Sequence, residues 1–196
     1  MSRPREFDVD RALHQCLEVF WAKGYKTTTL EDLTRTTKVK KQSLYCVFKN
    51  KRDLFLKALA LYREERIAIL EELASREVSP YEKLEAICDY SQYQKEETYR
   101  GCLMANSAME FGNDDHEVNR EVSLMFERIE SIFERIIREG QEQGLVTNSQ
   151  SSKELATYLN NVISGVRFME KSGASIEQIN AVLHTSFRLM VVENIR

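Results

Sequence analysis

The 196-residue chain has only two prolines, seven glycines and one tryptophan, and each scarcity removes a class of architecture. Between Gly24 and Gly101 there is no glycine, and Pro80 is the one proline of that interval, so a strand-and-turn fold would have almost no punctuation. Collagen-like and low-complexity chains need far more of both residues, and at 42% hydrophobic content disorder is not expected. No uninterrupted apolar run approaches the roughly 18 to 20 residues of a membrane span. The start MSRPREFDVD has no apolar stretch after its basic residues, which argues against a secretory signal or an anchor. The expectation is a soluble, globular, cytoplasmic protein with no membrane partner. Cys16, Cys46, Cys88 and Cys102 form no CxxC pair, so neither a zinc knuckle nor a dense disulfide framework is indicated, and reduced thiols are expected. His14, His116 and His184 lie outside any HExxH-type motif, and there is no Gly-rich phosphate loop or nucleophile elbow; these absences point away from an enzyme and suggest no cofactor. Asp114, Asp115, His116 and Glu117 have ion-binding side chains, but acidic residues ahead of a helix also serve capping and dipole roles, and no metal is expected.

What is present is helical periodicity. Val118, Val122, Met125, Phe126, Ile129, Ile132, Phe133, Ile136 and Ile137 recur at three and four residues, one face of a long helix that stops near Gly140 to Gly144. Leu155, Leu159, Val162, Ile163, Val166 and Met169 make a second stripe, and Ile176, Ile179, Leu183, Phe187 and Met190 a third. The segment 53–74 is apolar on more than one face, as in a helix packed on both sides that links two packing units. Ser79 and Pro80 read as the cap and first turn of a helix running to about Glu97. The chain is all-α.

At the amino end, Asp8 to Lys23 places Val9, Ala12, Leu13, Cys16, Leu17 and Phe20 on one face and stops at Gly24. Thr28 or Thr29 caps a short helix with Glu31 and Asp32 in its first turn. After a break near Thr37 to Val39 a third helix spans Lys41 to Phe48. Two short helices about three residues apart, braced by a longer one, form a helix-turn-helix unit whose second element can enter a major groove. Charge agrees: through Lys57 there are thirteen Lys and Arg against seven Asp and Glu, a net of +6, whereas the remainder nets −9. Lys38, Lys40, Lys41, Lys49, Lys51 and Arg52 crowd the turn and the third helix, the footprint of a polyanion binder.

The run GYKTTTLEDLTRTTKVKKQSLYCVFKNKRDLFLKAL, from Gly24 to Leu59, resembles the amino-terminal signature of TetR-type transcriptional repressors. The matching positions are Gly24, Tyr25, Thr28, Thr29, Leu33, Leu44, Tyr45, Phe48, Lys49, Asn50, Lys51, Asp53 and Leu54; RGCLMANSAMEF and REGQEQGLV also resemble segments of family members. The resemblance implies a helix-turn-helix DNA-binding domain over 1–52 and a larger helical ligand-binding and dimerisation domain over 53–196. It implies a homodimer on a palindromic double-stranded DNA operator, released by a small-molecule effector. By position, Thr29 and Tyr45 would bind phosphates and Lys51 the backbone, with Lys40 and Lys49 on the same basic face. Lys41, Gln42 and Ser43 would face base edges, chemistry that suits guanine, adenine and several edges respectively. Arg3 and Arg5 would form a minor-groove arm. Two positions depart from the family: Lys38 stands where a turn glycine is usual, and Lys40 where a Ser or Thr cap is common. If the left-handed turn is kept, Lys38 costs about 1–2 kcal/mol.

In the larger domain, Gly165 would permit close helix approach at a dimer interface built from the last two helices. Tyr90, Tyr93, Tyr99, Met104, Met109, Phe111, Met125 and Phe126, with Asn106 and Ser107 as polar points, suit either an apolar or aromatic effector or a plain core. Cys102, after Arg100 and Gly101 at a helix start, is either a redox or electrophile switch or an inert half-buried thiol; Cys46 is a second redox candidate. A reading from another class is a helical protein-interaction module with a basic end.

Overall fold

The computed structural model describes the backbone of residues 7–92 and 100–192 and, outside 90–92, their side chains. Among them the helices are α1 (Val9–Lys23), α2 (Leu30–Thr37), α3 (Lys41–Val47), α4 (Lys51–Ala74), α5 (Pro80–Gln92), α6 (Leu103–Phe111), α7 (His116–Glu142), α8 (Ser152–Lys171) and α9 (Ile176–Met190), with a 3-10 turn at Gly112–Asp114. No strand occurs among the described residues beyond an isolated bridge between Val146 and Val191. Arg3, Arg5, Tyr93 and Tyr99, the side chain of Tyr90 and the expected end near Glu97 lie outside them. The chain divides into two compact units: the first extends through Glu65 and takes in Leu103–Val122, and the second comprises Arg66–Cys102 and the chain from Ser123. Helices α4 and α7 each contribute residues to both, as the two-faced segment 53–74 suggests for α4.

In the first unit, Asp8 caps α1 by accepting from the Arg11 amide at 3.0 Å. Its stripe of Ala12, Cys16, Leu17 and Phe20 is buried. These side chains meet Leu33 of α2, Leu44 of α3, Phe48 and the Leu54, Phe55, Ala58 and Leu59 face of α4 in the core. Phe20 meets Phe55 edge to face at 5.0 Å between ring centroids. Phe48 ends α3 and is core. Asn50 caps α4 through its Oδ1, 2.9 Å from the Asp53 amide.

In the second unit the Ser79 cap is realised, its hydroxyl bonding Glu82 at 2.7 Å and accepting from the Glu82 amide at 3.2 Å. The α7 stripe buries Met125, Ile129, Ile132, Phe133, Ile136 and Ile137. It packs tightly at its end, since a Cβ on Gly140 would lie 2.6 Å from Val146 Cγ2. Capping boxes start α8 at Ser151 and α9 at Ser175. One expectation changes. Ile176, counted in the α9 stripe, is 65% exposed because it opens the helix's first turn. Gly165, expected at a pairing face, has nothing among the described residues within 4 Å of the place its Cβ would occupy.

Candidate nucleic-acid interface

The helix-turn-helix geometry is held from inside by a carboxylate. Thr29 caps α2 in a reciprocal box with Asp32. Asp32 Oδ2 accepts from the Thr29 amide at 2.9 Å and the Thr29 hydroxyl at 2.8 Å. Asp32 Oδ1 takes Lys23 Nζ at 2.6 Å and Arg35 Nη2 at 2.8 Å. The Lys23 ammonium and the Thr29 donors hold the Asp32 carboxyl well below the usual carboxylate range. The turn follows: Lys38 has φ 58° and ψ 18°, left-handed, so the strain expected at this position is present. Lys40 occupies the cap position of α3 without a side-chain cap bond.

A second carboxylate comes from far along the chain. Glu110, near the end of α6, accepts the Tyr25 amide at 2.9 Å and the Lys26 amide at 2.6 Å, while Lys26 Nζ donates to the Glu110 carbonyl at 2.8 Å. Gly24 suits this approach twice over: its φ is +81°, and a Cβ there would lie 3.0 Å from Glu110 Oε2. Beside it, the Tyr25 ring packs on Phe55 at 4.8 Å and on Phe111 at 5.2 Å. The turn after α1 is thereby fixed to α6. Nothing in the sequence pattern signalled Glu110; Asp32 was legible only as a first-turn acid, with the Thr-x-x-Asp spacing of a capping box as the further hint.

These contacts sort the cations. Lys23 and Arg35 are spent on Asp32, Lys57 on Asp53, and Arg63 on Glu64 and Glu121. Arg52, counted in the basic face, instead forms a two-pronged pair with Asp115, at 2.6 Å from Nη1, and reaches Glu117 at 3.1 Å. Asp115 also caps α7 through the Val118 amide at 3.1 Å, so the acidic cluster serves capping and pairing. Lys38, Lys40 and Lys41 are exposed, and no ion pair or side-chain hydrogen bond engages them among the described residues; Lys49, also exposed, donates its amide to Asp53 Oδ2 at 3.2 Å and, behind Lys57, helps to hold the Asp53 carboxyl down, and Arg11 on α1 makes no ion pair among the described residues. Three unspent lysines therefore cluster on the turn and the start of α3, with Lys49 partly offset by Asp53 on the α3–α4 loop.

The other expected contact residues fall as follows. Gln42 is exposed, and Ser43 and Tyr45 are half-buried on α3. The Tyr45 hydroxyl makes no hydrogen bond among the described residues, and burial pushes its pKa up. Thr29 is exposed, but its one hydroxyl proton is given to Asp32. Lys51 Nζ lies 4.3 Å from the Tyr25 ring centroid, and desolvation pulls its pKa down against the opposing pull of Glu110.

The residues singled out for an effector divide between the units. On α6, Met104 and Ser107 are buried, the Ser107 hydroxyl donating to the Leu103 carbonyl at 2.8 Å, and Asn106 and Phe111 are half-buried. The Phe111 ring is engaged by Tyr25, Phe55 and the Arg52 guanidinium. On α7, Met125 is buried and Phe126 half-buried, the Phe126 carbonyl accepting from Asn160 at 3.3 Å. A cleft of about 480 Å³ in the second unit is lined by other side chains, Tyr81, Leu145, His184, Phe187, Arg188 and Val191 among them. Cys16 and Cys88 are buried, their thiols pushed up to about 12, whereas Cys46 is exposed and Cys102 half-buried.

Known proteins agree with this architecture along nearly the whole chain. The family model described as bacterial regulatory proteins, tetR family, matches residues 12–58, and that of the Tetracyclin repressor-like, C-terminal domain matches residues 80–184. The HTH-type transcriptional repressor ComR of Escherichia coli (strain K12) is 29% identical over 96% of this chain and 91% of its own length. The uncharacterized HTH-type transcriptional regulator YezE of Bacillus subtilis (strain 168) is 30% identical over 97% of this chain and 100% of its own. A cysteine-substituted form of the TetR family transcriptional regulator CifR, solved in complex with a 26-bp double-strand operator DNA, superposes with a TM-score of 0.83 at 27% identity, covering 96% of this chain and 100% of that one. With a match over more than half its length and a full-length relative at 30% identity, this chain belongs to the TetR family of bacterial regulatory proteins.

Proposed function

We propose that the protein is a transcriptional repressor that binds a palindromic operator as a homodimer and releases it when a small-molecule effector is bound. The observation that carries this reading is the sorting of the first unit's cations. Carboxylates take up Lys23, Arg35, Arg52, Lys57 and Arg63 on α1, α2 and α4, while Lys38, Lys40 and Lys41 stay unspent around α3, where a duplex would lie. Lys41, Gln42 and Ser43 would meet base edges. Lys40, Tyr45, Lys49 and Lys51 would take phosphates, with Thr29 contributing least because it must first release Asp32. The CifR complex with operator DNA supports the same use of this fold.

Pairing follows from geometry, because two recognition helices must reach major grooves about 34 Å apart. Tyr158 and Phe168 on α8 and Leu189 on α9 are 41%, 61% and 67% exposed, and Gly165 faces open space; together they offer an apolar surface for a second copy. The cleft beside Tyr81 and Phe187 has the size of a small-ligand site. An effector would lower DNA affinity only as far as it discriminates between the two conformations. A redox variant of this reading uses Cys102, half-buried and directly ahead of α6; Cys102→Ser would then abolish the loss of DNA binding caused by an electrophile, and an unchanged response rejects it.

The test is an anisotropy titration of the full chain against duplexes from upstream of its own gene, at two salt concentrations. Sequence-selective, salt-dependent binding with two chains per site is expected. Sequence-indifferent binding, or none, overturns the repressor reading in favour of a helical interaction module with a basic end.

A further inference from the structure

We infer that Lys38 is a phosphate-binding residue, set at the turn between α2 and α3 in a conformation its backbone resists. Among the described residues it is the one non-glycine with positive φ; the other positive-φ positions are Gly24, Gly101, Gly112, Gly144 and Gly173. Residues that accept this region for local reasons are Asn and Asp, whose short side chains bond back to the nearby backbone. Lysine has no such bond to offer, and Lys38 makes none. The turn is tied by its neighbours instead. The Thr37 hydroxyl donates to the Leu33 carbonyl at 2.8 Å and accepts from the Val39 amide at 3.2 Å. The Lys38 side chain is exposed and does nothing for the fold.

Backbone strain at a position whose side chain has no structural work is a mark of function. The charge pattern says which function. Lys38, Lys40 and Lys41 place three ammonium groups within four positions, with no carboxylate engaging any of them among the described residues. Three like charges so close along the chain make a cationic patch that a line of phosphodiesters would neutralise. The ligand class is therefore the DNA backbone alongside α3, and the inference rests on the DNA-binding reading above.

The experiment uses the full chain and three variants. Lys38→Gly and Lys38→Asn remove the charge but tolerate the left-handed turn; Lys38→Arg keeps the charge. Operator and scrambled duplexes are titrated over a range of salt, and thermal unfolding is followed in parallel. The two neutral variants should melt no lower than the wild type and up to about 4 °C higher. They should bind both duplexes about 3- to 10-fold more weakly, with a salt slope shallower by about one. Lys38→Arg should keep the wild-type slope. Wild-type affinity and slope in Lys38→Asn overturn the inference and leave the DNA-binding reading intact. A fall in melting temperature alongside affinity also overturns it, because Lys38 would then be shaping the turn. A wild-type chain that binds neither duplex overturns the reading beneath it and the inference together.

Discussion

In the first unit carboxylates tie turns and helix starts around an apolar core of Phe20, Leu33, Leu44, Leu54 and Phe55: Asp32 gathers four donors around one side chain, Glu110 takes two successive amides, and Asp115 joins the Arg52 guanidinium to the start of α7. In the second unit apolar stripes on α7, α8 and α9 leave Ile132, Phe133, Ile136, Ile137, Leu159 and Val166 almost wholly removed from water, and the carboxylate pairs, such as Lys83 with Glu139 and Arg128 with Glu71, run between helices rather than into turns. The contrast teaches how one chain keeps two kinds of surface. Carboxylates placed at turns and helix starts can neutralise chosen cations and leave others free at the turn and α3. The second unit also leaves apolar side chains outside, as at Phe168 and Leu189.

The comparison breaks most visibly where packing is removed. Phe133→Ala, at 1% exposure in the second unit, should cost about 3–5 kcal/mol in urea unfolding. Hydrogen exchange should then accelerate throughout the protected core. Glu110→Ala should cost less, about 1–2 kcal/mol, because it leaves one half-buried and one exposed amide without their acceptor. Its signature is local: faster exchange at Tyr25 and Lys26, and weaker operator binding, with the amides of α8 and α9 unchanged. Uniform acceleration in Glu110→Ala would mean that the carboxylate is not what fixes the turn.

Much of this was legible in the sequence, and the division between what was and was not has a physical cause. The stripes of α1, α7, α8 and α9, the Thr29 and Ser79 caps and the left-handed risk at Lys38 are local, encoded by residues within a turn or two of each other. Glu110 meets Tyr25 from 85 positions away, and Arg52 meets Asp115 across 63. No periodicity encodes such encounters, so Arg52 was counted with the basic face when it is in fact neutralised. Phe111, open in the sequence between an effector site and a plain core, packs its ring against Tyr25 and Phe55. A domain boundary at 52 falls one residue inside the start of α4, a helix whose residues serve both units.

The smallest effect is one of slope rather than level, and it carries opposite signs in the two units. Asp32 has its folded pKa depressed below the ordinary 3.8 by the Lys23 ammonium and the Thr29 donors. Its stabilisation is complete above the ordinary carboxylate range and is lost as pH falls toward the depressed value. Glu170, in the second unit, is raised above 4.5 because burial outweighs the attraction of Arg167, whose Nη1 lies 3.1 Å away. There the folded state binds the proton more readily than the unfolded chain, so acidification through that range adds stability. Asp32→Asn should therefore flatten the loss of stability between about pH 4 and pH 2, whereas Glu170→Gln should steepen the acid limb from above pH 4.5 by removing a compensating gain. Thermal melts of both variants across that range provide the check. If the two tilt the acid limb in the same direction, the opposite shifts of Asp32 and Glu170 do not set their contributions to acid stability.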